Sequence, residues 1–260
     1  MNENPRRLAL GKRLRFCSSL ESIGVLPNWE DYSNEAKEAF LEASEIYYPS
    51  SLYEDVARSL GKNTFPRNYY RFMGNKIRQT NLFQLLGIPH PKTRLYYGGN
   101  RFERILSEFA YPFIAKTPVG SSKGTGVYLI GSDGELEEYL ATNRPAYIQE
   151  YLNISKDLRV VLIAGEVVHT YWRIASSGEF RNNVARGASI SYEDIPSDAL
   201  DFARDVARRC RFDEVGLDVC RYAGRYYVLE ANMVYGLEGF RQAGVDIYEV
   251  LARMDRRGVL

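Results

Sequence analysis

The sequence predicts an α+β protein, in which strands pair through hairpins and helices occur singly. Two stretches have the pattern of β-hairpins, one turning at Ala164-Gly165 and one across Ala223-Gly224-Arg225. The regular alternation of strand and helix that marks a doubly wound fold is not seen. Of the 260 residues, 45% are hydrophobic and 26% are charged, which is typical of a globular protein and excludes a disordered one.

The first part of the chain, residues 1–74, predicts a small α/β unit. Asn34 can cap a short helix that runs to Leu41, and residues 45–49 favour a strand. Residues 52–60 favour a second helix, which Gly61 ends.

From Asn75 onwards the local signals are stronger. Asn75 and Gly87 are suited to cap the two ends of a helix, and Pro89 and Pro91 then require extended chain. The elements expected next are helix 102–109, strand 111–119, a glycine loop 120–126, strand 127–131, helix 134–141 capped by Ser132-Asp133, and strand 146–152. The rest comprises the hairpin 157–174, a loop 176–189, a helix from Ser197 with Cys210 on its apolar stripe, the hairpin 215–232 and a final helix 246–254.

Composition excludes several classes of function. The balance of 34 basic against 33 acidic residues argues against electrostatic capture of nucleic acid. No apolar run has the length of a membrane span, and the N-terminal segment lacks the apolar region of a signal peptide. The three cysteines form no CxxC pair, so we expect reduced thiols in a cytoplasmic protein. With only two histidines, catalysis is expected to depend on carboxylates, lysines and arginines.

The last hairpin carries a candidate metal site. Glu230 and Asn232 share one strand face, and a three-residue turn that pairs Tyr222 with Tyr226 would set Asp218 opposite Glu230, with Cβ atoms about 4.5–5.5 Å apart. Two such carboxylates need a cation or a proton between them, and oxygen ligands suit Mg²⁺. The alternative is a solvated strand face, and a two-residue turn would put the two acids on opposite faces.

A glycine loop and two lysines suggest an anion site. The loop 120–126 is neither a Walker loop nor a GxGxxG motif, but its backbone N–H groups and the side chains of Ser121, Ser122 and Lys123 can contact phosphate oxygens. Lys76 falls in the first turn of a capped helix, and Lys116 lies within an apolar strand. A flexible turn and two surface lysines are the alternatives.

Five polar residues lie on the hairpin 157–174 and in the loop after it: Asp157, Arg159, Arg173, Asn183 and Arg186. Arg159 and Arg173 lie on the two arms of one hairpin. Arginines so placed can bind a phosphate or carboxylate through two parallel hydrogen bonds. Taken singly, such residues are also common on solvated strands.

In order along the chain, four blocks resemble the ATP-grasp superfamily, in particular its RimK-like branch of ribosomal-protein glutamate ligases. They cover residues 75–255 approximately: Asn75-Lys76 with Gln79-Thr80 and Gly87-Ile-Pro-His-Pro-Lys-Thr; Lys116 with Gly120-Ser-Ser-Lys-Gly-Thr-Gly-Val; Ile148-Gln-Glu-Tyr-Leu with Lys156-Asp-Leu-Arg; and Gly178-Glu-Phe-Arg-Asn-Asn-Val-Ala-Arg-Gly-Ala through Gly216-Leu-Asp-Val and Val228-Leu-Glu-Ala-Asn to Gly236-Leu-Glu-Gly. The resemblance implies an ATP-grasp fold, in which two α+β subdomains clasp ATP. It also implies a reduced N-terminal pre-ATP-grasp-like portion (1–74), an ATP-grasp domain (75–260) and a lid at about 110–148.

The resemblance also implies a role for each matching residue. The residues that would bind the nucleotide are the phosphate-binding Lys76 and Lys116; the loop residues Gly120, Ser121, Ser122, Lys123, Gly124 and Gly126; the hinge residues Gln149, Glu150, Tyr151 and Leu152; and Asp157. Catalysis would involve Arg159, Arg173 and Asn183, where Arg173 and Asn183 hold the γ-phosphate and acyl phosphate. Asp218, Glu230 and Asn232 would be the ligands of two Mg²⁺, or of Mn²⁺.

The reaction so implied is ATP-dependent ligation of a carboxylate to an amine through an acyl phosphate, with release of ADP and phosphate. The partners would be a small-molecule or peptide carboxylate and an amine such as an amino acid, without nucleic acid or membrane, in a protein that can be a homo-oligomer. The alternatives are an ATP-binding regulatory module that does not turn over and a two-carboxylate hydrolase.

The sequence departs from the family pattern at four places. Asn75 replaces an Asp, Ala185 replaces a His of the glutamate ligases, and Met233-Val-Tyr stands where small residues and Pro are usual. The N-terminal portion is also shorter. Nucleotide and metal positions are kept and substrate-side positions differ, so the sequence specifies the chemistry better than the substrate.

Overall fold

The N-terminal unit is built on a parallel sheet. A computed structural model describes residues 7–120, 126–175 and 189–260. The strands β1 (Arg7–Ala9), β2 (Glu21–Ser22), β3 (Glu45–Tyr47) and β4 (Asn63–Phe65) lie in the order β2-β1-β3-β4. Helices α1 (Asn34–Glu42) and α2 (Ser50–Ser59) connect them. The predicted helix cap at Asn34 is wrong by one residue, because the Ser33 hydroxyl accepts the N–H of Ala36 and begins the helix.

Helix α3 (Lys76–Leu86) leads out of this unit as predicted. The Asn75 side chain accepts the N–H of Arg78, and Gly87 takes the left-handed conformation that ends the helix. The cap at Asn75 places Lys76 in the first turn.

An antiparallel sheet forms the second unit. Its elements are β5 (Thr93–Tyr96), α4 (Arg101–Leu106), β6 (Phe113–Lys116), β7 (Val127–Ile130), α5 (Asp133–Thr142) and β8 (Ala146–Glu150), with strand order β5-β8-β6-β7. Ser132 caps α5, as expected from the sequence. Tyr96, Phe113, Leu136 and Ile148 belong to its separate apolar core. The lid proposed at about 110–148 falls within this unit, which also contains β5 and α4.

The central sheet carries both predicted hairpins. Its strands are β9 (Lys156–Ile163), β10 (Glu166–Ile174), β11 (Ser189–Ser191), β12 (Glu214–Tyr222) and β13 (Arg225–Asn232), in the antiparallel order β11-β10-β9-β12-β13. Helix α6 (Ser197–Cys210) and α3 cover one face, and Cys210 is buried there as predicted. Helices α7 (Glu238–Gln242) and α8 (Ile247–Arg256) and the N-terminal unit cover part of the other face.

The turn of the last hairpin differs from the prediction. Tyr222 pairs with Arg225, so the turn has two residues and the predicted Tyr222–Tyr226 pair is wrong. A register shift follows between Asp218 and Val219, because Leu229 is an extra residue in β13. This bulge restores the pairing of Asp218 with Glu230.

All three cysteines are free and buried, and burial raises the pKa of Cys17 to about 11 and of Cys210 and Cys220 to about 12.

Across the described parts of the chain, every helix is too short or too polar to cross a membrane.

Candidate functional site

Asp218 lies at the centre of a buried ion-pair network. It faces Arg159 across the β9–β12 pair, and Arg159 donates from Nε to Oδ1 at 2.5 Å and from Nη2 to Oδ2 at 3.2 Å. Nη2 of Arg173 lies 3.0 Å from Oδ2 of the same carboxylate. Burial alone would raise the pKa of Asp218, but the two guanidinium groups together lower it below its usual value. Asp218 is therefore held as a carboxylate.

The network extends to Asp157. Arg173 donates from Nε to Oδ1 of Asp157 at 2.7 Å, and these two residues face each other across the β9–β10 pair. Arg159, Asp218, Arg173 and Asp157 thus alternate in charge, and each is less than 10% exposed. The structure gives Asp157 an arginine partner within the protein, and its assignment to the nucleotide stays a prediction.

The two lysines reach one cleft from different elements. Nζ of Lys76, at the start of α3, lies 3.2 Å from Oε1 of Glu230 on β13. Nζ of Lys116, at the end of β6, lies 3.5 Å from the carbonyl oxygen of Leu229. Burial lowers the pKa of Lys116 to about 8, against the opposing influence of Glu230. Neither lysine is a solvated surface residue, because both are less than 10% exposed.

The three predicted metal ligands are neighbours. Asp218 and Glu230 are register partners, and Nδ2 of Asn232 donates to Oδ2 of Asp218 at 3.1 Å. The set consists of two carboxylates and one amide, and the described residues contain no group of three or more His, Cys, Asp or Glu side chains that could hold a metal ion. A set of oxygen ligands of this kind fits a hard cation such as Mg²⁺.

The ends of the glycine loop are anchored beside α3. The Gly120 N–H donates to the Gly74 carbonyl at 3.1 Å, and the Lys76 N–H donates to the Pro118 carbonyl at 3.0 Å. At the other end the Thr117 N–H donates to the Gly126 carbonyl at 2.8 Å. The remaining predicted loop residues, Ser121, Ser122, Lys123 and Gly124, lie outside the described residues, as does Asn183.

The predicted hinge connects the second sheet to the central sheet. Gln149 and Glu150 end β8, and the chain passes through Tyr151 and Leu152 before β9 begins. The Gln149 side chain donates to Oγ1 of Thr93 at 2.9 Å, and Oε1 of Glu150 accepts the Lys92 N–H at 2.6 Å. These bonds hold the connection against the start of β5.

Three further residues of this cleft had no role assigned from the sequence. Nε2 of Gln79 donates to the Ala231 carbonyl at 2.6 Å and its Oε1 accepts the Ala231 N–H at 3.2 Å, which fixes the backbone between Glu230 and Asn232. Thr80 and Tyr147 share a hydrogen bond of 2.8 Å beneath Lys116. Gln79 and Thr80 stand in the first family-like block, but their partners lie far along the chain. The cleft is lined by Lys76, Gln79, Thr80, Phe83, His90, Lys116, Tyr147, Gln149, Val228, Leu229 and Glu230.

Comparisons with known proteins agree with this architecture. The coenzyme γ-F420-2:α-L-glutamate ligase of Methanococcus maripaludis is 29% identical over 187 residues, which are 68% of this chain and 65% of that protein. The ribosomal protein bS6–L-glutamate ligase of Salmonella paratyphi B is 29% identical over 181 residues, which are 66% of this chain and 60% of that protein. The chain thus spans under two thirds of the length of these curated relatives.

The fold is also found among solved structures. The ATP-grasp ligase PsnB, solved in complex with the precursor peptide PsnA2 and AMPPNP, aligns with a TM-score of 0.67 at 15% identity, over 99% of each chain. The family model for the RimK-like ATP-grasp domain matches residues 73–254, which include every described residue of the cleft. The chain therefore belongs to the RimK-like ATP-grasp family.

Proposed function

We propose that this protein is an ATP-dependent carboxylate–amine ligase that works through an acyl phosphate and releases ADP and phosphate. The observation that carries the proposal is that four cationic side chains gather where the second sheet meets the central sheet: Lys76, Arg159 and Arg173 pair with Asp218 or Glu230, and Lys116 contacts the Leu229 carbonyl beside Glu230. Lys76 and Lys116 come from elements outside the central sheet, and Arg159 and Arg173 come from within it. A triphosphate with its cations matches this distribution of charge.

The nucleotide would lie in the cleft below the second sheet. Lys76 and Lys116 would neutralise phosphate oxygens, and the loop that begins at Gly120 and ends at Gly126 would cover them with backbone N–H groups. The residues from Gln149 to Leu152 would contact the adenine. Asp218, Glu230 and Asn232 would hold Mg²⁺. When bound, Mg²⁺ would neutralise negative charge on the phosphate oxygens.

The reaction needs positioning and charge neutralisation and no protein nucleophile. An oxygen of the substrate carboxylate attacks the γ-phosphorus, the bond to the β-phosphate oxygen breaks, and ADP leaves. The amine nitrogen then attacks the acyl carbon, phosphate leaves, and the nitrogen loses a proton to give the amide. Arg173, together with Arg159, would stabilise the negative charge that develops on the phosphoryl group.

The substrates are proposed only by class. The names of the two curated relatives specify glutamate ligation to a coenzyme and to a ribosomal protein, and PsnB was solved with a peptide. We propose that this chain joins a small-molecule or peptide carboxylate to an amine such as an amino acid.

The test is ADP release, measured with a panel of amino acids and peptides as carboxylates and amines. Asp218→Asn and Glu230→Ala are expected to lower ADP release by a factor of about 10² or more, because Asp218→Asn removes a negative charge from the ligand set and Glu230→Ala removes a ligand. Asp201→Ala is the control, since Asp201 is an exposed carboxylate whose ion-pair partner among the described residues is Arg204, on the surface of α6. Circular dichroism checks that each variant is folded.

Unchanged ADP release in both Asp218→Asn and Glu230→Ala would contradict the metal assignment. If the wild-type chain binds ATP but releases no ADP with any member of the panel, the ligase proposal is wrong and the protein is an ATP-binding module.

A further inference from the structure

A buried carboxylate lies where the N-terminal unit contacts the central sheet. Glu214 begins β12, is fully buried, and lies on the same strand face as Gly216 and Asp218. Its Oε1 is ion-paired with Nη2 of Arg13, and its Oε2 accepts the hydroxyl of Tyr48 at 2.5 Å. Both of these donors belong to the N-terminal unit. The proposed catalytic chemistry uses none of the three residues.

The third donor to Glu214 comes from the segment that follows the proposed metal ligands. The Tyr235 hydroxyl donates to Oε1 of Glu214 at 2.7 Å and accepts from Nη2 of Arg13 at 2.7 Å. The Arg13 guanidinium also lies 5.6 Å from the centre of the Tyr235 ring. Tyr235 is only three residues beyond Asn232, so this network fixes the chain directly after that ligand.

The Tyr235 side chain folds back over the strand pair that carries the ligands. A Cβ at Gly216 would lie 2.8 Å from the Cβ of Tyr235 and 3.3 Å from Cδ of Arg159. Gly216 is the register partner of Asn232, and Arg159 is the arginine that binds Asp218 through two hydrogen bonds. Tyr235 therefore packs where the stems of two site residues meet. Its ring also stacks on Phe240 of α7, with ring centres 6.3 Å apart.

We propose that Tyr235, held by Arg13 and Glu214, is a positioning residue that fixes Asn232 in the metal site, so that the N-terminal unit controls the geometry of that site. The proposal rests on the function proposed above, because it concerns the same metal ligands. Tyr235 also lies in the Met233-Val-Tyr segment that departs from the family pattern. The departure thus has a structural explanation: the tyrosine supplies a hydroxyl that reaches Glu214.

The chain offers a closely matched pair of variants. Tyr235→Phe and Tyr48→Phe each remove one phenolic hydrogen bond to Glu214, and both tyrosines are less than 10% exposed. Of the two tyrosines, only Tyr235 lies in the segment that directly follows the proposed ligand Asn232. A purely structural role predicts the same effect for both variants, whereas a positioning role predicts an effect on metal binding for Tyr235→Phe alone.

The experiment measures Mn²⁺ binding to the full chain in the presence of AMPPNP, by electron paramagnetic resonance, at a temperature where each variant is folded. Tyr235→Phe is expected to raise the Kd for Mn²⁺ about tenfold, which is the usual cost of losing a residue that supports a metal ligand. Tyr48→Phe is expected to leave the Kd unchanged. Arg13→Lys, which keeps the charge beside Glu214 but loses the guanidinium that joins both partners, is expected to change the Kd in the same direction as Tyr235→Phe.

Equal Kd values in the wild type, Tyr235→Phe and Arg13→Lys would overturn the positioning role while leaving the metal site in place. An equal rise of the Kd in Tyr235→Phe and Tyr48→Phe would also overturn it, because either hydrogen bond to Glu214 would then matter equally and Tyr235 would have no separate role. A wild-type chain that binds no Mn²⁺ with AMPPNP would overturn both this inference and the proposed function.

Discussion

Lys116 shows how the surroundings of one side chain control its charge. The residue ends a strand of apolar neighbours, and burial brings its pKa down to about 8. The unfolded chain keeps the same proton up to about pH 10.4. Between these two values the unfolded state binds more protons than the folded state, so the contribution of Lys116 to stability rises with pH over that interval. Below pH 8 the buried charge is present, and an anion in the cleft would stabilise it.

This pKa predicts how nucleotide binding depends on pH. The affinity for ADP is expected to fall above pH 8, by up to about tenfold per pH unit, because binding must then restore a proton to Lys116. Calorimetry in buffers of different ionisation enthalpy would show proton uptake that rises towards one proton per ADP.

Lys116→Arg provides the control, since arginine stays charged throughout this range. Its ADP affinity is expected to be flat from pH 7 to 9.5. The same fall in affinity in Lys116→Arg would show that another group is responsible.

The role of Gln79 could not be predicted from the sequence around it. Its position in a family-like block is visible in the sequence, but its role depends on Ala231, which lies 152 residues further along the chain. No local pattern specifies such a contact. By contrast, the location of Lys116 in an apolar strand is visible in the sequence, where it indicated an anion site with a surface lysine as the alternative.

At the scale of elements, the β12–β13 hairpin combines a wrong prediction with a confirmed one. The turn at Ala223-Gly224 has two residues, because both take the positive φ values that a tight hairpin requires. That turn alone would have placed Asp218 and Glu230 on opposite faces. The extra residue Leu229 reverses the alternation and brings the two carboxylates opposite each other. The pairing depends on a bulge that the local sequence does not reveal.

Helix α7 is placed close to the site by a glycine. A Cβ at Gly239 would lie 2.2 Å from Cε1 of Tyr171, whose ring is almost fully buried next to Arg159 in the β9–β10 pair. The absence of a side chain at Gly239 therefore sets the distance between α7 and the central sheet.

Gly239→Ala is expected to lower the free energy of unfolding by about 1–3 kcal/mol, because the packed ring of Tyr171 must move. Gly134→Ala in α5 is the matched control: nothing lies within 4 Å of its added Cβ, so we expect no loss and a gain of up to about 1 kcal/mol. Urea unfolding with a comparison of midpoints and slopes measures both. A Gly239→Ala variant as stable as the wild type would contradict the packing described for α7.

At the scale of the whole molecule, the N-terminal unit and the central sheet share one apolar core. Leu14, Tyr48 and Phe65 from the first unit pack with Val161 and Ile163 of β9 and with residues of α8. The assignment of residues 1–74 to a separate portion describes the parallel sheet, but this core and the Glu214 network join that portion to the rest. We therefore expect the two parts to unfold together.

The two tryptophans allow a direct test, because Trp29 lies in the N-terminal unit and Trp172 lies in β10 of the central sheet. In Trp29→Phe the fluorescence of Trp172 reports on the central sheet, and in Trp172→Phe that of Trp29 reports on the N-terminal unit. In each variant the urea midpoint from fluorescence is expected to equal that from circular dichroism. A lower fluorescence midpoint for Trp29 alone would show that the N-terminal unit unfolds independently.

The α+β class, the helix that begins at Lys76 after its cap at Asn75, the two hairpins and the family could all be predicted from the amino-acid sequence. Each of these depends on residues close together in the chain, such as Asn75 and Gly87 at the two ends of α3, or on blocks whose order is visible in the sequence. Which side chains meet could not be predicted from the sequence: the alternating arginines and aspartates of the central sheet, the hydrogen bonds of Gln79 to Ala231, and the contact of Arg13 and Glu214 with Tyr235. These contacts depend on the fold because a buried charge needs partners that are close in space, whatever their distance along the chain. Those partners lie on strands and helices that only the folded sheet brings together.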